Sequence, residues 1–280
     1  MRIGAHQRTG KGLDEAAERA AQIGCEAIQV FAANPSAWRT RPIPMELAVR
    51  FRDLTERNDI HPTVVHTQYL LNLASPDETI YIKSEAALAD SLVRADALGA
   101  EFVVTHVGSH RGSGAEAGIA RIQDSVARVL EGSTSPAVVL LENSAGAGEL
   151  VGGRLEDFAA IMERLSSFGK RIGICLDTAH LWGAGYDVST ADTVDATLRE
   201  FDSVVGLDWL RVVHMNDSRS AFGSHSDRHA NIGQGLIGID GIGALMRHPA
   251  LAELTVIIET PAHSPEDHAR DIALLKELRM

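Results

Sequence analysis

Cysteine is nearly absent from this chain. Its 280 residues include two, Cys25 and Cys175, far apart in sequence and outside any CxxC pair, which excludes a disulfide framework and a cysteine-rich zinc site. Cys175 lies in the apolar run "RIGICLD" and is expected in the core, and so little cysteine suits a reducing, cytoplasmic compartment. Long apolar runs are missing too. Nothing approaches the roughly 18 consecutive apolar residues that a membrane span needs, and "MRIGAH" enters a strand-like segment without the charged and apolar regions of a leader. A soluble, untargeted protein is expected. Positive charge is also scarce: Lys and Arg number 26 against 38 Asp and Glu, for a formal net charge of -12. That argues against binding nucleic acid by overall attraction. Clustered carboxylates holding divalent cations would invert the field locally. Linkers and low-complexity tracts are lacking as well, so residues 1–280 read as one domain, and 45% hydrophobic content is enough for a large core.

What is present is a repeated unit. Short apolar runs recur at "RIGAH", "AIQVFAA", "PTVVH", "EFVVTH", "AVVLLEN", "RIGICLD", "LRVVHMND" and "TVIIETP". Longer segments with helical apolar spacing, such as "LDEAAERAAQIG" and "EAALADSLVRADALG", separate them. Continuous apolar runs suit buried parallel strands, and eight strand–helix units in a chain of this length predict an α/β protein of the (β/α)8 TIM barrel class. An open dinucleotide-binding sheet is the alternative, weakened because the glycines of "SAGAGELVGG" are misplaced for a GxGxxG turn.

The ionisable residues fall at the ends of these runs. His66 closes "TVVH", His106 "VVTH", Glu142 "VVLLE", Asp177 "GICLD", His214 "RVVH" and Glu259 "VIIE". In a barrel the C-terminal strand ends converge on one face. His180 follows Asp177 by three residues in "DTAH", and Asp227 and His229 flank Arg228 in the loop "HMNDSRSAFGSHSDRHANIGQG". Taken singly, a strand-end histidine is easily satisfied by backbone groups, and a strand-end carboxylate often caps the next helix. Taken together, four converging carboxylates would repel one another unless cations joined them. Mixed imidazole and carboxylate ligands suit zinc, with manganese or iron possible. His6, at the end of the first strand, either orients the cluster or makes a structural hydrogen bond. His61, His248, His263 and His268 read as surface residues, and His110 and His225 as loop residues.

The segments "HTQYLLNLASPDE", "HVGSH", "LLENSAGAGELVGGRLEDF", "CLDTAHLWGAGYD", "HMNDSRSAFGSHSDRHANIGQGLIG" and "IIETP" resemble, in order along nearly the whole chain, those of the endonuclease IV family of zinc-dependent apurinic/apyrimidinic endonucleases. The resemblance implies a TIM barrel holding about three metal ions. His66, His106 and Glu142 would hold one ion; Glu142, Asp177, His214 and Glu259 a second; His180, Asp227 and His229 the third. It further implies hydrolysis of the phosphodiester 5' to an abasic site in duplex DNA, leaving a 3'-hydroxyl and a 5'-deoxyribose phosphate, with removal of 3'-blocking groups by the same chemistry. Glu142 and Glu259 would be the catalytic carboxylates, placing the attacking water. Arg228 would lie near the scissile phosphate. The loops "NPSAWRTR" and "TQYLLN" would enter the duplex, with Tyr69, Leu70, Trp38 and Arg39 at the DNA; packing within the loops is the competing role for Tyr69, Leu70 and Trp38. Ser36 and Ala37 depart from the arginine and polar residue that the family often carries there. A metal-dependent sugar isomerase or epimerase of related barrels needs only Glu142, Asp177, His214 and Glu259, and a noncatalytic damaged-DNA or zinc-binding protein is a third reading. No interaction helix or tail is evident, so a monomer without a protein partner is expected.

Overall fold

Extended backbone turns successive side chains to opposite faces, and that period of two organises the molecule. The computed structural model describes residues 1–262 and 264–280; His263, expected at the surface, lies outside them. The apolar runs form the parallel strands β1 (Arg2–Gln7), β2 (Ala27–Phe31), β3 (Thr63–His66), β4 (Phe102–His106), β5 (Val138–Glu142), β6 (Ile172–Asp177) and β7 (Leu210–His214). After β7 come two short strands, β8 (Asp217–Ser218) and β9 (His229–Ala230), which pair antiparallel with each other, and then β10 (Thr255–Ile258). The seven strands and β10 close in the order β1-β10-β7-β6-β5-β4-β3-β2, each beside its barrel neighbour in sequence, as the (β/α)8 expectation requires.

Around the barrel run α1 (Leu13–Gln22), α2 (Met45–Arg57), α3 (Glu78–Leu98), α4 (Ala115–Gly132), α5 (Leu155–Leu165), α6 (Thr178–Ala184), α7 (Ala191–Val204), α8 (Gly238–Arg247) and α9 (Pro265–Arg279). Sequence sets their ends. Asp77 caps α3 by accepting from the Thr79 and Ile80 amides at 2.8 and 3.1 Å, and Gly99 stops it in the left-handed region at φ 66°. Among the described residues, no helix is long and apolar enough to cross a membrane.

The barrel interior is closed by one small cluster: Ala27, Val64, Val104, Leu140, Cys175, Val212 and Ile257, each 0% exposed. Cys175 is thus a core residue, as expected, and burial pushes its thiol up to about 12. At the same level β1 has Gly4, where a Cβ would lie 2.0 Å from the Ala27 carbonyl oxygen. No other residue fits that approach of β1 to β2. The alternate strand residues, such as Val65, Val103, Leu141 and Val213, point outward and join the larger core under the helices. Burying each such aliphatic side chain stabilises the fold by about 1.5–3 kcal/mol, which lets the barrel carry a polar layer directly above its plug.

The long excursion from β7 to α8 is fastened from within. Asp217, fully buried, accepts hydrogen bonds from the amides of Ser218, Gly235 and Ile237 at 2.8, 2.9 and 3.0 Å. Gly235 must come so close that a Cβ there would lie 2.4 Å from Asp217 Oδ1. Farther out, Trp182 on α6 donates from Nε1 to the Ser220 carbonyl at 2.9 Å and accepts from the Gly223 amide at 3.0 Å. The excursion therefore lies against α6, the helix that carries His180.

Candidate metal centre

Two residues beyond the plug, the same inward face presents a polar layer. Val64 is followed at that spacing by His66, Val104 by His106, Leu140 by Glu142, Cys175 by Asp177, Val212 by His214 and Ile257 by Glu259. On the remaining two strands Gly4 leads to His6 and Ala27 to Gln29. The expected strand-end ligands thus share one level, with Glu259 one position past the end of β10. His180, Asp227 and His229 come from α6 and the excursion.

Three groups of ligand atoms result, each within 4.8 Å: His66, His106 and Glu142; Glu142, Asp177, His214 and Glu259; and Asp177, His180 and His229. Glu142 Oε2 lies 3.3 Å from His66 Nε2 and 3.4 Å from His106 Nδ1, while Oε1 lies 2.9 Å from His214 Nδ1. Glu259 Oε2 is 3.4 Å from the same His214 nitrogen. Asp227 stands 3.1 Å from both His180 Nε2 and His229 Nε2 through its two oxygens. The third group therefore holds two of the expected trio, His180 and His229, with Asp177 in the place expected for Asp227; Asp177 Oδ2 is 3.5 Å from His229 Nε2, and Asp227 stands beside the group.

A surrounding set of hydrogen bonds aims these rings. His66, His180 and His229 each turn Nδ1 to a backbone carbonyl, of Thr67, Asn143 and Glu259, at 2.7, 2.8 and 3.2 Å. That places a proton on Nδ1 and makes Nε2 the nitrogen that would give an electron pair to a bound cation. His214 is reversed: its Nε2 donates to Gln29 Oε1 at 2.8 Å, so Nδ1 faces the carboxylates. Gln29 Nε2 also donates to Glu259 Oε1 at 2.6 Å, and His6 Nδ1 is 2.8 Å from that oxygen. His6 thus orients the cluster. Asn216 donates to Asp177 Oδ2 at 2.7 Å and accepts from the Glu259 amide at 2.8 Å. Asp177 also caps α6 by accepting from the His180 amide at 2.8 Å, which fixes one ligand by the other. The position that caps the helix is also the one that brings Asp177 into the ligand groups.

Electrostatics tests whether cations suit this place. Two unit charges 4 Å apart interact by about 4 kcal/mol at an effective dielectric of 20, so clustered carboxylates in a buried layer require positive partners. Burial alone would push Glu142 up, but His106 and His214 hold it well below the usual carboxylate range. Burial opposes a charge on His180 and His229, yet Asp177 and Asp227 outweigh it and raise them to about 10 and about 9. His106 goes the other way, lowered by burial despite Glu142. The buried Nε2 of His229 has two carboxylates nearby and no aligned hydrogen bond to either. Such an atom, shared between oxygens and bonded to none, fits a ligand of a common ion.

The layer floors a cavity of about 520 Å³. Tyr69 is on its wall, 63% exposed, with its ring edge-on to Phe31 at 5.0 Å. Leu70 is half-buried and Arg39 exposed. Trp38 is half-buried against the core under the helices. Arg228 is exposed, and its carbonyl accepts from the Arg219 amide. His61 is exposed as expected, but two other surface assignments need correction. His248 is half-buried and caps the short turn Pro249–Leu251, while His268 lines the metal cavity, with Nε2 2.9 Å from the Thr260 carbonyl. His110 and His225 both make backbone contacts in loops, to the Gly114 amide and the Ala145 carbonyl. Gln29, Asn143, Asn216 and Asp217 were not singled out from sequence. A lone glutamine inside the apolar run "AIQVF" was a usable signal for Gln29; the others act through contacts that sequence spacing does not reveal.

The profile of the xylose isomerase-like TIM barrel family matches residues 17–278. A protein of Chloroflexus aggregans named "Probable endonuclease 4" is 42% identical over 281 residues, covering 99% of this chain and 97% of its own. The crystal structure of endonuclease IV from Thermus thermophilus is similar with a TM-score of 0.88 and 36% identity, over 99% of this chain and 98% of that one. A D-tagatose 3-epimerase-like protein is similar with a TM-score of 0.77 over 99% of this chain and 97% of its own, but at 20% identity it shares the fold alone.

Proposed function

The chain belongs to the endonuclease IV family of xylose isomerase-like TIM barrels, and from that premise we propose that it hydrolyses the phosphodiester 5' to abasic sites in duplex DNA. It is a metal-dependent DNA-repair endonuclease; the bond cut and the ends left are the finer part of the reading. The products are a 3'-hydroxyl and a 5'-deoxyribose phosphate, and 3'-blocking groups are removed at the same site. The observation that carries this is the meeting of three ligand groups on one barrel face, with Glu142 and Asp177 each shared between two. Phosphate transfer needs several positive centres around one phosphorus, whereas a sugar isomerase would leave His66, His106, His180, Asp227 and His229 without a task.

About three zinc ions per chain, with manganese or iron possible in part, would be held by His66, His106, Glu142, Asp177, His180, His214, Asp227, His229 and Glu259. Bound there, divalent ions supply a lowered pKa for water and neutralise charge on the attacking and leaving oxygens. The chain's own contribution is position. Glu142 stays ionised and, with Glu259, orients the attacking water; His6 and Gln29 keep Glu259 from turning away. Tyr69 and Leu70 meet the duplex from the β3–α3 loop and Arg39 from the β2–α2 loop, with Trp38 bracing the latter from beneath. The single domain acts as a cytoplasmic monomer.

The test is incision of a duplex carrying one abasic site, with and without chelator, beside ketose and aldose substrates. Expected are metal-dependent incision, a 3' end that a polymerase extends, and no sugar interconversion. Sugar interconversion without incision would replace this reading by the isomerase one.

A further inference from the structure

Among the described residues, the metal cavity has one arginine or lysine on its wall, and it is Arg8. Arg228, which neighbours two ligands in sequence, is not on that wall. Arg8 follows β1 in the β1–α1 loop and is exposed. Its Nη2 donates to the Ala262 carbonyl at 3.2 Å, which brings the guanidinium beside the loop after Glu259, and Arg19 holds its backbone by donating to the Arg8 carbonyl. Among the described residues, no carboxylate forms an ion pair with Arg8. Arginines on the outer helices contrast with it: Arg121 pairs with Glu78 at 2.7 Å and Arg128 with Glu85 at 2.6 Å.

Arg8 also belongs to two neighbouring hollows. One, of about 300 Å³, has Lys11 and Arg19 on its wall; the other, of about 760 Å³, runs along the β2–α2 loop with Arg39 and Arg41. Among the described residues, neither is lined by a carboxylate. On a chain of net charge -12, such a group is a local reversal of sign, continuous with the metal cavity through Arg8. The β1–α1 loop was not a sequence candidate, because "QRTGKG" has no ligand type in it.

We propose that Arg8 is a phosphate-binding residue of this enzyme, holding the phosphodiester next to the scissile one in the lesion strand, so that the strand leaves the metal centre over the β1–α1 loop. The inference rests on the endonuclease reading. A planar guanidinium with unpaired N–H donors matches phosphate oxygens. Metals held by the ligand layer would face the scissile phosphate, whereas Arg8 stands where the cavity opens into its basic flanks, so its contact persists through the reaction and acts on binding.

The experiment uses metal-loaded protein: parent, Arg8→Gln, Arg8→Lys and Arg228→Gln, each checked for metal content. Affinity is titrated against salt on an abasic duplex with a cleavage-resistant phosphorothioate at the scissile linkage, and KM and kcat are measured on the ordinary linkage. One phosphate contact contributes about 0.9 to the slope of log affinity against log salt. Arg8→Gln should lower the slope by about that amount and raise KM by about 10-fold or more, as for a lost hydrogen bond to a charged group, with kcat within about threefold. Arg8→Lys should keep the slope, and Arg228→Gln should change it less than Arg8→Gln does. An unchanged slope in Arg8→Gln, or a loss confined to kcat, overturns the assignment. A parent that binds the duplex but fails to incise it refutes the endonuclease reading while the slope still judges Arg8; a parent that does not bind DNA refutes both.

Discussion

His66 and Tyr69 are three residues apart, yet His66 is 3% exposed and Tyr69 63%. His66 ends β3, its height set by the sheet register and its ring by a bond to the Thr67 carbonyl. Tyr69 is past the strand, its amide bonded to the Pro35 carbonyl and its ring touching Phe31 and His66 but exposed on its remaining side. The same contrast separates the whole ligand layer from the rim above it. In the layer, one residue's position is dictated by two neighbouring strands and a fixed ring nitrogen. On the rim, side chains answer to their own loop and to whatever docks there. Chemistry is therefore expected to fail sharply when the layer is changed, and binding to fail gradually when the rim is changed.

The largest effect is expected from emptying the layer. Exhaustive chelation should abolish incision, and elemental analysis of active protein should return about three divalent ions per chain, mostly zinc. The melting temperature should also fall, because an ion that binds only the folded state stabilises it by about 4 kcal/mol when present at 1,000 times its dissociation constant. Active protein with a single ion would break the comparison at its base.

Next in size is Glu142→Gln. The carboxylate reaches three imidazoles from two oxygens, and a neutral amide cannot serve two cations. Loss of incision should be on the order of 10³-fold or greater, as for removal of transition-state charge stabilisation, with circular dichroism unchanged. Near-parental turnover in this variant, at full metal loading, would contradict the role given to Glu142.

Gln29→Leu probes the layer from behind. The amide bonds to both His214 and Glu259, so its loss should weaken metal affinity or activity about 10- to 100-fold, the usual range for a residue that orients ligands. Leucine keeps the volume, which separates orientation from packing. Metal affinity equal to the parent's, measured by competition with a chelating dye, would show that the sheet alone suffices.

On the rim, Tyr69→Ala should cost about 1–3 kcal/mol of binding to abasic duplex, by analogy with base–aromatic stacking, while the salt slope stays as it was. The phenol itself is not expected to titrate in the working range, since burial of part of the ring and then the charges of Glu259 and Glu142 push it up to about 12. Unchanged binding would make the ring part of the cavity wall and nothing more.

The two regions were also unequally legible in the sequence. Strand ends were readable because an apolar run followed by His, Asp or Glu marks both the barrel level and the ligand type, and His66, His106, Glu142, Asp177 and His214 all close their strands. Gln29 obeyed the same period but was not of a ligand type. Asn143, Asn216 and Asp217 act across the closed barrel or the excursion, as when Asn216 reaches Asp177 and Glu259, and no local spacing encodes that. On the rim the sequence was less informative: Arg228 stands beside Asp227 and His229 in the chain, but the arginine that shares the cavity wall with them is Arg8, far from any other candidate except His6. Side chains alternate in direction along an extended segment, so adjacency to a ligand is a poor guide to facing the same space.

The smallest effect on chemistry is expected from a histidine outside both regions. His248 was read as a surface residue, but its Nδ1 accepts from the Ala250 amide at 3.2 Å as the cap of Pro249–Leu251, and its Nε2 is 3.6 Å from Asp195. That turn joins α8 to β10, the strand leading to Glu259. His248→Ala should therefore lower stability by about 0.5–2 kcal/mol, the range for a lost helix cap, read as a shift in the denaturation midpoint. Incision per metal-loaded molecule should stay within about twofold, because the height of Glu259 is set independently by the pairing of β10 with β1 and β7 and by the Asn216 bond to its amide. If incision instead falls in step with stability at full metal loading, the turn beneath the barrel helps position the layer, and the separation between what places the ligands and what merely supports the fold is less complete than the strand register implies.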